Sequence, residues 1–259
     1  MSTRIAVTGD HLGEVVDALE ARGFEVVREH PEMVFCSGGD GTFLRAERVW
    51  PGVPKVPARV AARAELCDRH RLEAVVERLS AGELRREELP KIVARIGHWR
   101  ALALNDVVLR NAMPTVAARF EIELGSSVSG EITGDGLVVC TPFGSSAYYR
   151  SITGSTISTG LGVAFNNCTE ARPPVAVPPG ATLKVLLLRG PAVLVVDNDP
   201  RPTVLRAGHR FEVSGSDERA VALGLDALRC QDCRRSDGSR FNRHQASPAG
   251  APGPAHQSK

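Results

Sequence analysis

The chain has 259 residues, of which 32 are basic and 30 acidic, so its formal net charge at pH 7 is +2. Charges this evenly balanced create no strong overall field, and we expect neither nucleic acid nor an anionic membrane as a main partner. The chain lacks a run of membrane-spanning length, a signal-peptide pattern and small-domain disulfide spacing among its six cysteines. These features predict a reduced, soluble, cytoplasmic protein of one large or two moderate domains.

The first part of the chain alternates strand-like and helix-like patterns. Apolar runs at 5–7, 24–27 and 33–36 are typical of buried strands, and the apolar spacing across 12–19 predicts a helix that ends near Gly23. A glycine turn and a second helix follow. This order predicts an α/β sheet whose ligand lies at the carboxyl ends of the strands.

The next stretch is less regular. Pro51, Pro54 and Pro57 are expected to interrupt any regular element. After them, the residues 72–79 repeat the helical spacing, with Gly82 as a C-terminal stop.

The chain is organised around Gly38-Gly39-Asp40-Gly41-Thr42, which we call the phosphate turn. It lies between a predicted strand and a predicted helix. Glycines there allow positive φ and a close approach of backbone amides to a ligand, and the helix directs its positive dipole end to the same place. Asp40 would repel a phosphate unless it accepts a proton or holds a cation. The alternative is a tight turn in which Asp40 caps a helix.

The sequence pattern changes near residue 98. From there on, the chain has closely spaced strand-like runs, which are separated by turn residues. They predict a mainly β second domain. We therefore expect an α/β domain at 1–98 and a β-rich domain at 99–229. The predicted strands are 91–96, 99–109, 116–124, 127–133, 137–141, 162–165, 183–188, 193–196, 209–213 and 221–224.

The last thirty residues, 230–259, contain no Leu, Ile, Val or Met and end in a Pro/Gly-rich stretch, so we expect a disordered tail. Cys230 and Cys233 form one CxxC pair with His244 downstream. A single pair without an evident fourth ligand is weak support for zinc, and two unpaired thiols are the simpler interpretation. We assign no metal ligands.

Two further stretches carry polar groups at the ends of apolar strands. Asn105-Asp106 interrupts an apolar run, and a buried carboxylate there needs partners; a structural turn held by Asn105 is the alternative. The second stretch, 135–149, leads from Asp135-Gly136 through a buried strand to Thr-Pro, small hydroxyl residues and two tyrosines. These groups suit sugar hydroxyls, phosphates and a stacked base. Standing alone, the segment would equally fit a serine-rich loop with core tyrosines.

In this order and spacing, the three stretches resemble the signatures of the ATP- or polyphosphate-dependent NAD kinases. The family's glycine-aspartate turn matches 38–42, its Asn-Glu/Asp pair matches 105–106, and its Asp-Gly…Thr-Pro-x-Gly-Ser-x-Ala-Tyr segment matches 135–148. The resemblance runs from about residue 4 to 228. It implies an NAD kinase-like α/β N-terminal domain and a β-rich C-terminal domain, with the site between them.

The resemblance also implies the roles of individual residues. Asp40 would be the general base on the 2′-hydroxyl of the adenosine ribose of NAD, and Gly38, Gly39, Gly41 and Thr42 would shape the loop that meets the phosphates. Magnesium would accompany the phosphoryl donor. The residues implied to bind the dinucleotide are Asn105, Asp106, Asp135, Ser145, Ser146, Ala147, Tyr148 and Ser151.

The chain departs from the family pattern at several positions. Val53–Ala58 replaces a glycine-rich family stretch, and Phe143 replaces a usual Thr or Ser. Asp197-Asn198-Asp199 stands where the family has Asp-Gly-Gln, and 166–169 stands where it has a Thr-Pro-Ile-x-Pro-His segment.

We therefore expect an enzyme that makes NADP from NAD and a phosphoryl donor, and a homo-oligomer, either a dimer or a tetramer. Two alternatives remain. One is a kinase of the same superfold acting on another hydroxyl, such as a lipid or another nucleoside. The other is a non-catalytic NAD(H)-binding protein, which the altered loops favour and the intact phosphate turn disfavours.

Overall fold

A computed structural model describes residues 2–59 and 70–228. This part of the chain contains two β-sheets and four α-helices. The helices are α1 (Leu12–Glu20), α2 (Asp40–Val49), α3 (Leu72–Ser80) and α4 (Tyr148–Thr153). None of the helices in these two ranges is long and apolar enough to cross a membrane.

The strands of the first half carry the labels β1 to β8. They are β1 (Arg4–Gly9), β2 (Glu25–Val26), β3 (Met33–Ser37), β4 (Lys55–Ala58), β5 (Arg86–Ile96), β6 (Trp99–Ala103), β7 (Asp106–Asn111) and β8 (Ala118–Leu124). The remaining strands are β9 (Ser127–Val128), β10 (Ile132–Gly134), β11 (Gly136–Cys140), β12 (Leu161–Asn166), β13 (Val175–Val177), β14 (Thr182–Arg189), β15 (Ala192–Val196), β16 (Thr203–Leu205) and β17 (Arg210–Leu223).

The N-terminal strands form the predicted α/β arrangement. β2, β1, β3 and β4 are parallel neighbours, and their carboxyl ends lie at the same edge. One face packs on α1 and α3 through Val15, Leu19, Val75 and Leu79, which are buried as their spacing predicts. The other face packs on α2 through residues that include Phe43.

Strand β4 differs from the prediction for the proline-rich stretch. The expected interruption is wrong at 55–58, where Pro57 pairs with Cys36 inside the sheet. Proline is tolerated because β4 pairs with β3 along its length but with β17 only at Lys55, so no ladder donor is missing at residue 57.

The long strand β17 joins the two halves of the larger sheet. Its first residues pair with β14, and Ala222 near its end pairs with Lys55 of β4. Strand β5 lies antiparallel to it on both sides of an irregularity between Gly215 and Arg219. The runs 209–213 and 221–224, predicted as two strands, therefore belong to one.

The second sheet has the strand order β13-β12-β11-β7-β15-β16, and its neighbouring strands are antiparallel. Its inner face packs against β8, β14 and the first part of β17 in one apolar core, which includes Leu109, Phe120, Val139 and Phe211. The chain crosses from the larger sheet to the smaller one between β6 and β7. Only Leu104 and Asn105 connect these strands, so the predicted strand 99–109 is broken at the polar pair.

The predicted domain boundary near residue 98 lies in the two-residue turn between β5 and β6 and stays a prediction. The predicted tail at 230–259, with Cys230, Cys233 and His244, lies outside the described residues.

Candidate active site

The phosphate turn connects β3 to α2, as the sequence predicts. Gly38 has φ +149°, and a Cβ on it would lie 2.5 Å from the Thr42 side-chain oxygen, so only glycine fits. Gly39 is the N-cap of α2, and Asp40 is the first residue of the helix. The amide of Thr42 donates to the carbonyl of Gly39 at 3.0 Å, which closes the first turn. The turn therefore places Asp40 at the positive end of a helix.

The end of β1 packs directly beside this turn. The amide of Asp10 donates to the carbonyl of Ser37 at 2.8 Å. A Cβ on Gly9 would lie 1.8 Å from that same oxygen, so a second glycine is required by close approach. Arg45 of α2 donates to the Thr8 hydroxyl at 2.7 Å. The carboxyl ends of two parallel strands and one helix start thus meet in a single polar corner.

The crossing between the sheets, Leu104–Asp106, is held by one carboxylate from a distant part of the chain. Asp197 Oδ2 accepts from the amide of Leu104 at 2.8 Å, and its Oδ1 accepts from the amides of Asn105 and Asp106 at 2.7 and 3.1 Å. The amide of Asp197 in turn donates to the carbonyl of Asp106 at 2.8 Å. Asp197 therefore fixes the backbone on which the polar pair stands.

Burial raises the pKa of Asp106 to about 7, and the nearby carboxylate of Asp197 adds to the effect. Burial also raises the pKa of Asp197, although its three backbone hydrogen bonds and Arg48 act in the opposite direction. A buried carboxyl group, Asp106, and a partly buried one, Asp197, thus share this crossing. Asn105 is also buried, and its Oδ1 has no hydrogen-bond partner among the described residues. An unpartnered buried acceptor is costly and indicates a place for a ligand donor.

The Thr141–Gly144 loop packs onto the same crossing. The Thr141 hydroxyl donates to the carbonyl of Leu104 at 2.6 Å and accepts from the amide of Gly144 at 2.9 Å. A Cβ on Gly144 would lie 2.0 Å from the carbonyl oxygen of Asn105. The Thr-Pro-x-Gly pattern is therefore explained by close contact with the Asn105 backbone.

The hydroxyl residues after this loop mostly bond to nearby backbone. Ser145 donates to the carbonyl of Pro142 at 2.8 Å, Ser146 to that of Phe143 at 3.4 Å, and Ser151 to that of Tyr148 at 2.7 Å. These three serines shape the loop and the start of α4.

Two contacts join the phosphate turn to the crossing. The rings of Phe43 and Phe143 meet edge to face, with centroids 5.8 Å apart. Phe143, which replaces a family hydroxyl residue, is thus buried in the core beneath the site. The side chain of Asn198 donates to the carbonyl of Gly41 at 2.8 Å and accepts from Arg48 at 3.0 Å.

Between these elements lies a cavity of about 310 Å³, which we call the crossing cavity. It brings together residues of the second and third sequence stretches with α2, which contributes Leu44, one turn after Asp40. Its walls include Leu44, Asn105, Asp106, Ala147, Tyr148 and Asn198. A cavity of this size with convergent polar groups is a typical small-molecule site.

Asp135 is placed elsewhere. It precedes β11, whose other end pairs Cys140 with Asp106, so Asp135 is about 16 Å from the crossing along that strand. Its carboxylate accepts from Asn111 at 3.2 Å and from Asn167 at 2.9 Å. Within one chain, Asp135 is therefore not among the residues that the structure brings to the crossing cavity.

The sequence interpretation missed two contributors. In the sequence, Asp197 stands out only as part of a departure from the family pattern, yet it organises the crossing. Arg110 lines the crossing cavity and is not among the predicted site residues. A signal for Asp197 existed in the polar Asp-Asn-Asp run after an apolar strand, but its partner could not be known.

Comparisons with known proteins agree with this geometry. Residues 104–224 match the model of the ATP-NAD kinase C-terminal domain. The NAD kinase of Halorubrum lacusprofundi is 31% identical over 219 residues, which cover 78% of this chain and 76% of the relative. The chain belongs to the NAD kinase family. The NAD kinase of Natronomonas pharaonis is likewise 31% identical, over 87% of this chain and 84% of its own length.

Other family members match over less of their length. NAD kinase 2 of Trichormus variabilis is 32% identical over 157 residues, so the match spans about half of that relative and 56% of this chain.

Two solved structures share the fold. Yeast NADH kinase, complexed with NADH, superimposes with a TM-score of 0.75 at 13% identity, covering 97% of this chain and 90% of the other. The NAD kinase from Archaeoglobus fulgidus, in complex with ATP, superimposes with a TM-score of 0.71 at 18% identity, covering 91% of this chain and 99% of the other. The expected fold class, an α/β N-terminal part and a β-rich C-terminal part, is confirmed.

Proposed function

We propose that the chain is an NAD kinase, which transfers a phosphoryl group from ATP or polyphosphate to the 2′-hydroxyl of the adenosine ribose of NAD. The observation that carries this proposal is the junction of the phosphate turn with the Asn105–Asp106 crossing. Asn198 and the Phe43–Phe143 contact hold the two together beside one cavity. A phosphoryl-transfer turn beside a polar nucleoside-sized cavity supports transfer to a nucleotide hydroxyl.

The crossing cavity supplies groups suited to a dinucleotide. The unpartnered Oδ1 of Asn105 would accept a hydrogen bond from a hydroxyl or an exocyclic amine. The Asp106 carboxyl group would bind a ribose hydroxyl, and the Tyr148 ring would stack on a base. Arg110, at the cavity wall, would lie near the phosphates.

The chemistry is assigned to Asp40. In this mechanism its carboxylate accepts the proton of the 2′-hydroxyl while that oxygen forms a bond to the terminal phosphorus, and the bond from phosphorus to the donor's bridging oxygen breaks. The amides of the phosphate turn and the positive end of α2 stabilise the negative charge on the transferring group. The remaining part of the donor leaves with the electron pair of the broken bond.

Magnesium would fit the site only when it is bound together with the phosphoryl donor. No three His, Cys, Asp or Glu side chains within 2–59 and 70–228 form a metal-binding group. Magnesium commonly uses one or two carboxylates together with substrate phosphates and water. Asp10, whose Oδ2 lies 3.4 Å from the Cβ position of Gly38, is the carboxylate that would contact it. The ion supplies charge neutralisation when bound.

The deciding experiment incubates the protein with NAD, magnesium and either ATP or polyphosphate and measures NADP formed. We expect NADP with at least one donor, and phosphorus NMR should place the new phosphate on the 2′-oxygen. NADH, adenosine and a diacylglycerol serve as competing acceptors under the same conditions. Product from one of these alone would indicate a different kinase of the family, and NAD binding without product from any donor would indicate a binding protein.

A further inference from the structure

A second cavity, of about 290 Å³, lies behind the C-terminal half of α2. We call it the rear cavity. It is enclosed by α2, the β5–β6 hairpin and the β15–β16 hairpin. Arg48 of α2 is about 12 Å along the helix axis from Asp40 at its start, so the rear cavity is separate from the phosphate turn. Nothing in the proposed reaction uses it.

Its floor is a buried charge cluster that is not balanced. Lys55, Lys91 and Glu47 are respectively 0%, 4% and 5% exposed. Glu47 Oε2 pairs with Lys55, and Glu47 Oε1 pairs with Lys91. Two lysine side chains thus share one carboxylate. Burial lowers the pKa of Lys55 and Lys91 adds to the effect, whereas Glu47 acts in the opposite direction. An excess of buried positive charge is costly, and an anion bound beside Lys91 would offset it.

Lys91 is the member of this cluster that can take a ligand. Its ammonium group has three donors, and Glu47 is the one polar partner that it has among the described residues. Lys91 lines the rear cavity, whereas Lys55 does not and also donates to the carbonyl of Trp50. Two donors of Lys91 are therefore available there.

The carboxylates on the cavity wall are already engaged. Asp197 accepts three backbone hydrogen bonds at the crossing. Asp199 accepts from Arg201 at 3.2 and 3.3 Å and lies 3.8 Å from Arg48. An incoming anion would meet Arg48 and Lys91 as well as these carboxylates, so the site favours a compact anion that reaches the Lys91 end.

The other wall is apolar. Leu102, Leu104 and Leu194 line it, and the half-exposed Trp99 lies at the cavity. An indole face binds planar groups well, and it requires no polar atom from them. One buried ammonium group beside an apolar aromatic wall favours a ligand that has both an anionic group and a planar ring.

We propose that the rear cavity is a second ligand site, which binds a small aromatic anion with its phosphate or carboxylate group on Lys91 and its ring against Trp99. The proposal is independent of the proposed function, because the two residues assigned to the ligand, Lys91 and Trp99, lie outside the phosphate turn and the crossing cavity; Asp197 lines both cavities.

The test uses phenyl phosphate as the probe and the full-length protein. Calorimetry measures its affinity, and tryptophan fluorescence follows Trp99, with Trp99→Phe identifying that signal among the two tryptophans of the chain. We expect saturable binding of phenyl phosphate and none of phenol, which lacks the anionic group. Saturating concentrations of NAD and ATP should change the affinity for phenyl phosphate by no more than about twofold, since these ligands would occupy the crossing cavity and the phosphate turn.

Three variants make the test decisive. Lys91→Met should weaken binding by about tenfold or more, because it removes the buried cation and leaves Glu47 balanced by Lys55. Lys184→Met, at an exposed lysine on β14, is the matched control and should bind as the parent does. Ala101→Leu fills the rear cavity without changing charge and should also weaken binding by about tenfold or more; this variant decides the question if Lys91→Met does not fold. Any of three results would overturn the proposal. They are no binding by the parent, displacement of phenyl phosphate by ATP, and parental affinity in the folded Lys91→Met and Ala101→Leu variants.

Discussion

The phosphate turn and the Leu104–Asp106 crossing are both polar, but they are built by different means. The turn is closed by its own neighbours, through Gly39 and Thr42 within one helical turn. The crossing is held by Asp197, more than ninety residues later in the chain. A chemical group can thus be placed by local backbone geometry, whereas a binding surface between two sheets requires a long-range tether.

The largest effect is expected where the two regions are joined. Phe143→Ala removes a buried ring from its contact with Phe43, and substitutions of this kind cost about 3–5 kcal/mol in unfolding free energy. Denaturant unfolding monitored by circular dichroism measures the loss. Phe143→Leu, which keeps most of the volume, should lose much less. Equal stability of Phe143→Ala and the parent would mean that the two regions are not coupled through this contact.

The second prediction tests the turn alone. Asp40→Asn keeps the shape of the side chain and removes the proposed base, so turnover should fall about a hundredfold or more, or about 2.7 kcal/mol of barrier. NAD affinity and the melting temperature should stay near the parental values, because binding is assigned to the crossing cavity. Steady-state kinetics and NAD calorimetry on the same preparation separate these quantities. Near-parental turnover would remove Asp40 from the catalytic role.

The third prediction tests the crossing alone. Asp197→Asn keeps one oxygen for the three amides but replaces a charged acceptor by a neutral one, so unfolding free energy should fall by about 1–3 kcal/mol. NAD affinity should fall as well, because the Asn105–Asp106 backbone loses its tether. Asp199→Asn, at the partly exposed neighbouring carboxylate, is the control and should change stability little. An unchanged Asp197→Asn protein would show that the tether does not hold the crossing.

The fourth prediction is a pH dependence that belongs to Asp106. Its pKa rises on folding from 3.8 to about 7, so the folded state binds the proton more tightly than the unfolded state. Its contribution to stability is therefore greatest at acidic pH and is lost as the pH rises through this interval. Asp106→Asn should remove this contribution. Compared with the variant, the parent should lose more unfolding free energy between about pH 4 and about pH 7. Parallel pH profiles would contradict the assignment.

The elements with strong local signals can be predicted from the amino-acid sequence. Helices α1 and α3 follow from apolar spacing, and the phosphate turn follows from its glycines, of which Gly38 has a φ angle and a close contact that no other residue allows. The polar pair Asn105-Asp106 marks the point at which the predicted strand 99–109 is broken, because adjacent strand residues face opposite sides and a buried carboxylate needs partners.

The tertiary structure is needed to establish which distant groups meet. It placed Asp197 under the crossing and Phe143 against Phe43, and it kept Asp135 at the far end of β11. It also accommodates Pro57 in a sheet, because β17 does not pair with β4 at residue 57. Local spacing carries no information on these pairings, since they depend on how two sheets stack and where one long strand joins them.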